Sequence, residues 1–220
     1  SGTIANLRAT GFAIASDATL KDGIALVNGA SIRSDSGNIT LRGQGANFSS
    51  NDNDSNYGLK INASTVNSNS GIVTLVGRGG AATNNNDGIR FENNSLLQTV
   101  TGSLNLDGQG GSGGQVHIGT RILSTIRSTG SGTITIQGTG GTEGNYNYGV
   151  STSNSSNVSL IESAGGLVTL IGTASSGSNS SALQFEGGSI NLTNGADLIL
   201  RGSSSSATDI SADRSLMVTV

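Results

Sequence analysis

One phrase recurs along this chain, and its spacing constrains the fold more than any other feature. It reads SGNITLRGQG at Ser36–Gly45, SGIVTLVGRGG at Ser70–Gly80, TGSLNLDGQGG at Thr101–Gly111 and SGTITIQGTGG at Ser131–Gly141. GGLVTLIGT follows at Gly165–Thr173 and NGADLILRG at Asn194–Gly202. The glycines that close the strand-like part are Gly43, Gly77, Gly108, Gly138, Gly172 and Gly202, separated by 34, 31, 30, 34 and 30 residues. Gly11, after TIANLRAT, lies 32 residues before Gly43 and marks a degenerate earlier copy. A fixed period of this size is the signature of stacked structural repeats.

Aligned on these glycines, the columns show their chemistry. Two residues before the glycine stand Leu41, Leu75, Leu106, Ile136, Leu170 and Leu200; four before it stand Ile39, Val73, Leu104, Ile134, Val168 and Leu198. Between them lie Thr40, Thr74, Asn105, Thr135, Thr169 and Ile199. Because side chains alternate along a strand, the two aliphatic columns share one face and the mostly Thr/Asn column takes the other.

Two further strands fill each period. One has the form glycine–apolar–x–apolar, as in Gly23–Leu26, Gly58–Ile61 and Gly88–Phe91, with weaker copies at Val116-His117-Ile118, Gly149–Thr152 and Leu183–Phe185. The other carries a single inward aliphatic residue: Ile32, Val66, Leu97, Ile126, Ile161 and Ile190. Three short strands per period, with apolar residues always on the same side, predict an all-β chain folded as a right-handed parallel β-helix (a β-solenoid). We expect about seven coils of about 32 residues over residues 1–220, read as a single domain and as a segment or link of something longer. A sandwich or propeller would also be periodic, but the hairpin signals of those folds are sparse. Gly43-Gln44-Gly45, Gly77–Gly80, Gly108–Gly111 and Gly138–Gly141 mark a corner where positive φ is expected. Polar segments of variable length follow there (ANFSSNDNDSNY, AATNNND, SGGQ, TEGNYNY), so insertions should project from one edge.

Composition narrows the function. Of 220 residues 35 are Gly, none is Pro, Cys or Trp, and the net charge is −3. Low charge and recurrent β-branched runs argue for a folded chain rather than a disordered one. There is no basic footprint for nucleic acid or anionic lipid. No apolar run approaches the roughly 20 residues that span a bilayer, and no thiolate metal site is possible without cysteine. The first residues, SGTIANLRAT, carry no export signal. The end, Val218-Thr219-Val220, reads as the start of another copy of the repeated phrase.

The phrase, with Asp-Gly-Ile opening the next coil at Asp87-Gly88-Ile89, resembles repeats of filamentous-haemagglutinin-like and β-strand-repeat bacterial exoproteins of the cyanobacterial type. The resemblance runs from about Asp22 to Gly202 and implies a secreted or cell-surface β-helix used for adhesion or as a structural shaft. The Asn–Pro motifs of that family's secretion domain are missing.

Candidate site residues are few. Asn51–Asn56 offers oxygen ligands at alternate positions, which makes Asp52, Asp54 and Asn56 a candidate calcium site, although the EF-hand glycine and closing glutamate are absent. Tyr57, Tyr146 and Tyr148 end variable loops and could stack on sugar rings. A stripe of Lys60, Arg90 and His117 is expected on one outward face and could hold an anion. Glu92 and Glu186 share an outward column, but three coils separate them, about 14 Å at the strand spacing, too far for a glycosidase pair. No other cofactor is expected.

These observations point to a non-enzymatic structural module of a bacterial cell-surface or extracellular-matrix protein. It would be a stiff shaft or self-assembling fibre, extended head-to-tail through its ends or by further coils of the same chain. The alternative is an adhesin that binds glycans through its corner loops. A polysaccharide-active enzyme comes third.

Overall fold

In the computed structural model, residues 6–12, 21–47, 55–152, 159–175, 177–205, 208–214 and 217–219 are described. Among them there is no helix, and so none long and apolar enough to cross a membrane. Three parallel seven-stranded sheets run the length of a β-solenoid, and each turn contributes one strand to each sheet. Ile24 and Ile210 occupy one column six turns apart, 186 residues or 31 per turn. The chain therefore completes six turns, and the seventh rung of each sheet comes from partial turns at the ends.

The repeated phrase forms the sheet of strands Leu7–Phe12, Ile39–Gln44, Val73–Arg78, Leu104–Gln109, Ile134–Thr139, Val168–Ala174 and Leu198–Ser204. Its register pairs Gly11 with Gly43, then Gly77, Gly108, Gly138, Gly172 and Gly202 without a slip. Ile39, Leu41, Val73, Leu75, Leu104 and Leu106 are buried and face the second sheet's Leu59, Ile61, Ile89 and Phe91. A single turn could not cover these side chains. Stacking at about 4.8 Å per turn makes one continuous apolar column about 30 Å long.

The closing glycines have a different cause from the one their sequence suggests. None of the six has positive φ. A Cβ at Gly43 would overlap the carbonyl oxygen of Gly58; at Gly77, Gly108 and Gly138 it would overlap those of Gly88, Gly119 and Gly149. In return, a Cβ at Gly58 would strike the amide of Arg78. At the inward position after the second aliphatic residue, two sheets converge until backbone meets backbone, and no side chain fits between them.

Two strands lie elsewhere than the sequence suggests. In the fourth turn the strand is Thr120–Ile122, not Val116–Ile118: Thr120 pairs with Ile89 and Val150. Its inward residue is polar, which hides it from an apolar pattern, and the Thr120 hydroxyl is satisfied by donating to the Gln137 carbonyl at 2.7 Å. Met217–Thr219 extends the third, short-strand sheet beside Ser189–Asn191 rather than starting a new phrase strand. Length variation is also not confined to one corner, since Val150–Thr152 and Leu160–Ala164 are separated by seven residues where other turns use two to four.

Candidate functional site

The corner that leads into the second sheet is built on a side-chain ladder. Two residues before each opening glycine or its equivalent stand Lys21, Asn56, Asn86, His117, Asn147 and Ser180, all buried. The backbone N–H of Asn56 donates to Asn86 Oδ1 (3.1 Å), that of Asn86 to His117 Nδ1 (3.3 Å), that of His117 to Asn147 Oδ1 (3.1 Å), and that of Asn147 to Ser180 Oγ (3.0 Å). The amide side chains also tie down loop carbonyls of their own or the next turn. Asn86 Nδ2 donates to the Ala82 and Ser112 carbonyls at 2.9 and 2.7 Å, and Asn147 Nδ2 to that of Glu143 at 2.6 Å. A buried corner cannot leave N–H groups unpaired, and the ladder supplies their acceptors.

His117 is therefore an interior rung rather than part of a surface stripe. Burial lowers the imidazole pKa below its usual value, against the attraction of Asp87, the Gly113 carbonyl and Glu143. The neutral ring is also the form that can accept the Asn86 N–H at Nδ1. Its Nε2 points toward no partner in good hydrogen-bond geometry, the Gly113 carbonyl included.

The place expected for His117 on the outward face belongs to Arg121, in register between Arg90 and Ser151. Lys60, Arg90 and Arg121 form the cationic column, but acids within it compensate them. Asp87, fully buried, meets Arg90 Nη1 at 3.2 Å and Arg121 Nε at 3.3 Å, and accepts the Ile118 N–H at 3.1 Å. Glu92 meets Arg90 Nε at 2.7 Å and Lys60 Nζ at 3.6 Å, and accepts from Asn62 Nδ2 at 3.0 Å. Tyr57 lies over this cluster, with Lys60 Nζ and the Arg90 guanidinium carbon 5.3 and 5.2 Å from its ring centroid.

The local field follows. Burial opposes the charge on Arg90, but Asp87, Tyr57 and Glu92 outweigh it and hold the guanidinium firmly protonated. Burial, reinforced by Asp87, raises the Tyr57 phenol. Asp22, which accepts the Tyr57 N–H at 3.1 Å, is raised by burial despite that bond. The cluster is thus a self-compensated charge network and not an open anion site.

Tyr146 and Tyr148 lie further along the same face. Tyr148 is buried and Tyr146 is 40% exposed. They separate two adjoining clefts of about 170 and 570 Å³. The smaller is walled by Val116, Ile118 and Leu123 and carries Arg121, Ser151 and Glu186; the larger is lined by Ser178, Asn179, Ser180, Gln184 and Ser211. Tyr57 is not part of either.

Of the suggested calcium ligands, Asp52 and Asp54 lie outside the described residues. Asn56 is a ladder rung whose Nδ2 donates to the Ala46 and Ala81 carbonyls at 2.8 and 3.1 Å. No group of three or more His, Cys, Asp or Glu side chains placed to hold a metal occurs among the described residues. The ladder and Arg121 were both accessible to sequence reading through the recurrent Asn-x-Gly at Asn56–Gly58, Asn86–Gly88 and Asn147–Gly149, matched by His117-Ile118-Gly119. No protein-family profile, curated protein or solved structure matches the chain.

Proposed function

We propose that the protein is a non-enzymatic structural module of a bacterial cell-surface or extracellular-matrix protein, a stiff shaft or self-assembling fibre continued at its ends by stacked copies or by further coils of the same chain. The observation that carries this reading is the character of the two terminal rungs. Among the described residues, the outer strand of each sheet has a neighbouring strand on one side, and apolar side chains are exposed there: Leu7 and Phe12 (71% exposed) at one end, Ile210, Met217 (56%) and Val218 at the other. An open parallel edge flanked by apolar residues is a template for another strand. A head-to-tail contact of this kind is heterologous and generates filaments. The charge network supports a mechanical rather than a catalytic role, because Glu92 is held by three partners.

Sedimentation and electron microscopy of the concentrated chain test the proposal. Filaments with a subunit rise of about 30–35 Å, set by six to seven strand spacings, are expected. Phe12→Lys combined with Met217→Lys should return the protein to monomers. A wild-type chain that stays monomeric at the highest attainable concentration overturns end-to-end stacking. A second reading, glycan binding at the corner loops, is favoured by the clefts around Tyr146.

A further inference from the structure

The residue just before four of the ladder rungs adopts a left-handed backbone: Asn85 (φ 56°), Val116 (φ 63°), Tyr146 (φ 59°) and Asn179 (φ 56°). Asparagine tolerates this region because its short polar side chain bonds locally, and two turns use it. A β-branched valine and an aromatic tyrosine are outliers there. The ladder itself does not require them, since the same corner closes with asparagine on either side. Strained residues that a fold does not need cluster where they serve a site. Val116 and Tyr146 line the same cleft.

From this juxtaposition we infer that the paired clefts astride Tyr146 bind a short neutral oligosaccharide, with Tyr146 as the stacking platform between two subsites. The walls have the chemistry such a ligand needs. Val116 and the exposed Tyr146 ring offer apolar surface to the C–H faces of a sugar, over a floor of buried Ile118, Leu123 and Tyr148. Arg121 and Glu186 bring opposite charges to the smaller cleft, and the exposed Ser178 and Asn179 bring hydroxyl and amide groups to the larger one. Arg121 is steadied by its contact with Asp87, so the charge network acts as the support of the site. Together the clefts reach the size of ordinary small-ligand sites. The balance of charge and the absence of a basic excess argue against an anionic polymer. The inference deepens the glycan reading and is independent of end-to-end stacking.

The test uses the full chain with ¹³C-labelled tyrosine rings, of which there are three, titrated with cellotetraose, maltotetraose, chitotetraose and tetragalacturonate. Saturable shifts of Tyr146 and Tyr148 by at least one neutral tetrasaccharide are expected, with Tyr57 unmoved. Tyr146→Asn should weaken that binding at least tenfold, as read at Tyr148, while leaving Tm equal or higher because strain is relieved. Val116→Asn should also leave Tm equal or higher. No saturable shift up to about 10 mM, tenfold above a weak Kd of about 1 mM, overturns the inference. So does a response confined to Tyr57 or to tetragalacturonate, retained affinity in Tyr146→Asn, or a lower Tm in both asparagine variants. Filament formation in the same samples reports separately on end-to-end stacking.

Discussion

Asn86 concentrates the cost of building a polar corner inside a β-solenoid, and Asn86→Ala measures it. The substitution removes three buried hydrogen bonds: the acceptor for the Asn56 N–H at 3.1 Å and the two donated to the Ala82 and Ser112 carbonyls at 2.9 and 2.7 Å. At a net value of about 1 kcal/mol each, these come to roughly 3 kcal/mol. The Asn56 N–H, buried without its acceptor, adds about 1–3 kcal/mol more. The rung's backbone survives, because the Asn86 carbonyl still accepts from Gly111 and its N–H still reaches His117. We expect a loss of about 4–6 kcal/mol in urea unfolding. Amide exchange should quicken first around Asn56 and Ser112, since neighbouring turns in a stack can open locally. Asn105→Ala is the matched control: Asn105 is an outward residue of the phrase strand, and the change should stay within about 0.5 kcal/mol. A cost below about 1 kcal/mol for Asn86→Ala, or one equal to the control, refutes the ladder as a stabilising element.

Other substitutions probe separate parts of the shaft. Leu106→Asp should cost several kcal/mol by placing a carboxylate in the apolar column, whereas Thr74→Val on the outward face should be tolerated, and equal loss of β-signal by circular dichroism in both would overturn the facing assignment. Gly108→Ala should lose at least about 1–3 kcal/mol in denaturant titration, because the methyl meets the Gly119 carbonyl. Acidification should weaken the fold: His117 has a lowered pKa in the folded state, so the unfolded chain takes up the proton first, and the stability held above about pH 6.5 falls as pH drops below it. His117→Asn, copying its neighbouring rungs, should flatten that slope in Tm measured from pH 7 to 5. Asp87→Ala should cost about 3–5 kcal/mol in denaturant titration, since it takes the buried partner from Arg121 and leaves Arg90 to Glu92 alone.

The sequence alone determined the period, the strand count per turn and the direction of nearly every apolar side chain. Leu41, Leu75 and Leu106 fall into one buried column because alternation and a common glycine leave no other register. The contact of Tyr57 with Lys60 and Arg90 was not legible in the sequence, which groups Tyr57 with the other loop-end tyrosines. The register of the fourth turn was decided only in three dimensions. Val116-His117-Ile118 satisfies the apolar pattern better than Thr120-Arg121-Ile122, yet stacking fixes the strand by its hydrogen bonds to Ile89 and Val150 on either side. The same stacking turned His117 from a surface cation into a buried acceptor and put Arg121 in its place. The closing glycines were legible as necessary, but the reason, contact between two converging backbones, belongs to the tertiary structure. Periodicity is written in one coil and repeated in the next. Which polar group meets which across the corner depends on the neighbouring turn, about 30 residues away in sequence, and only the assembled stack brings the two together.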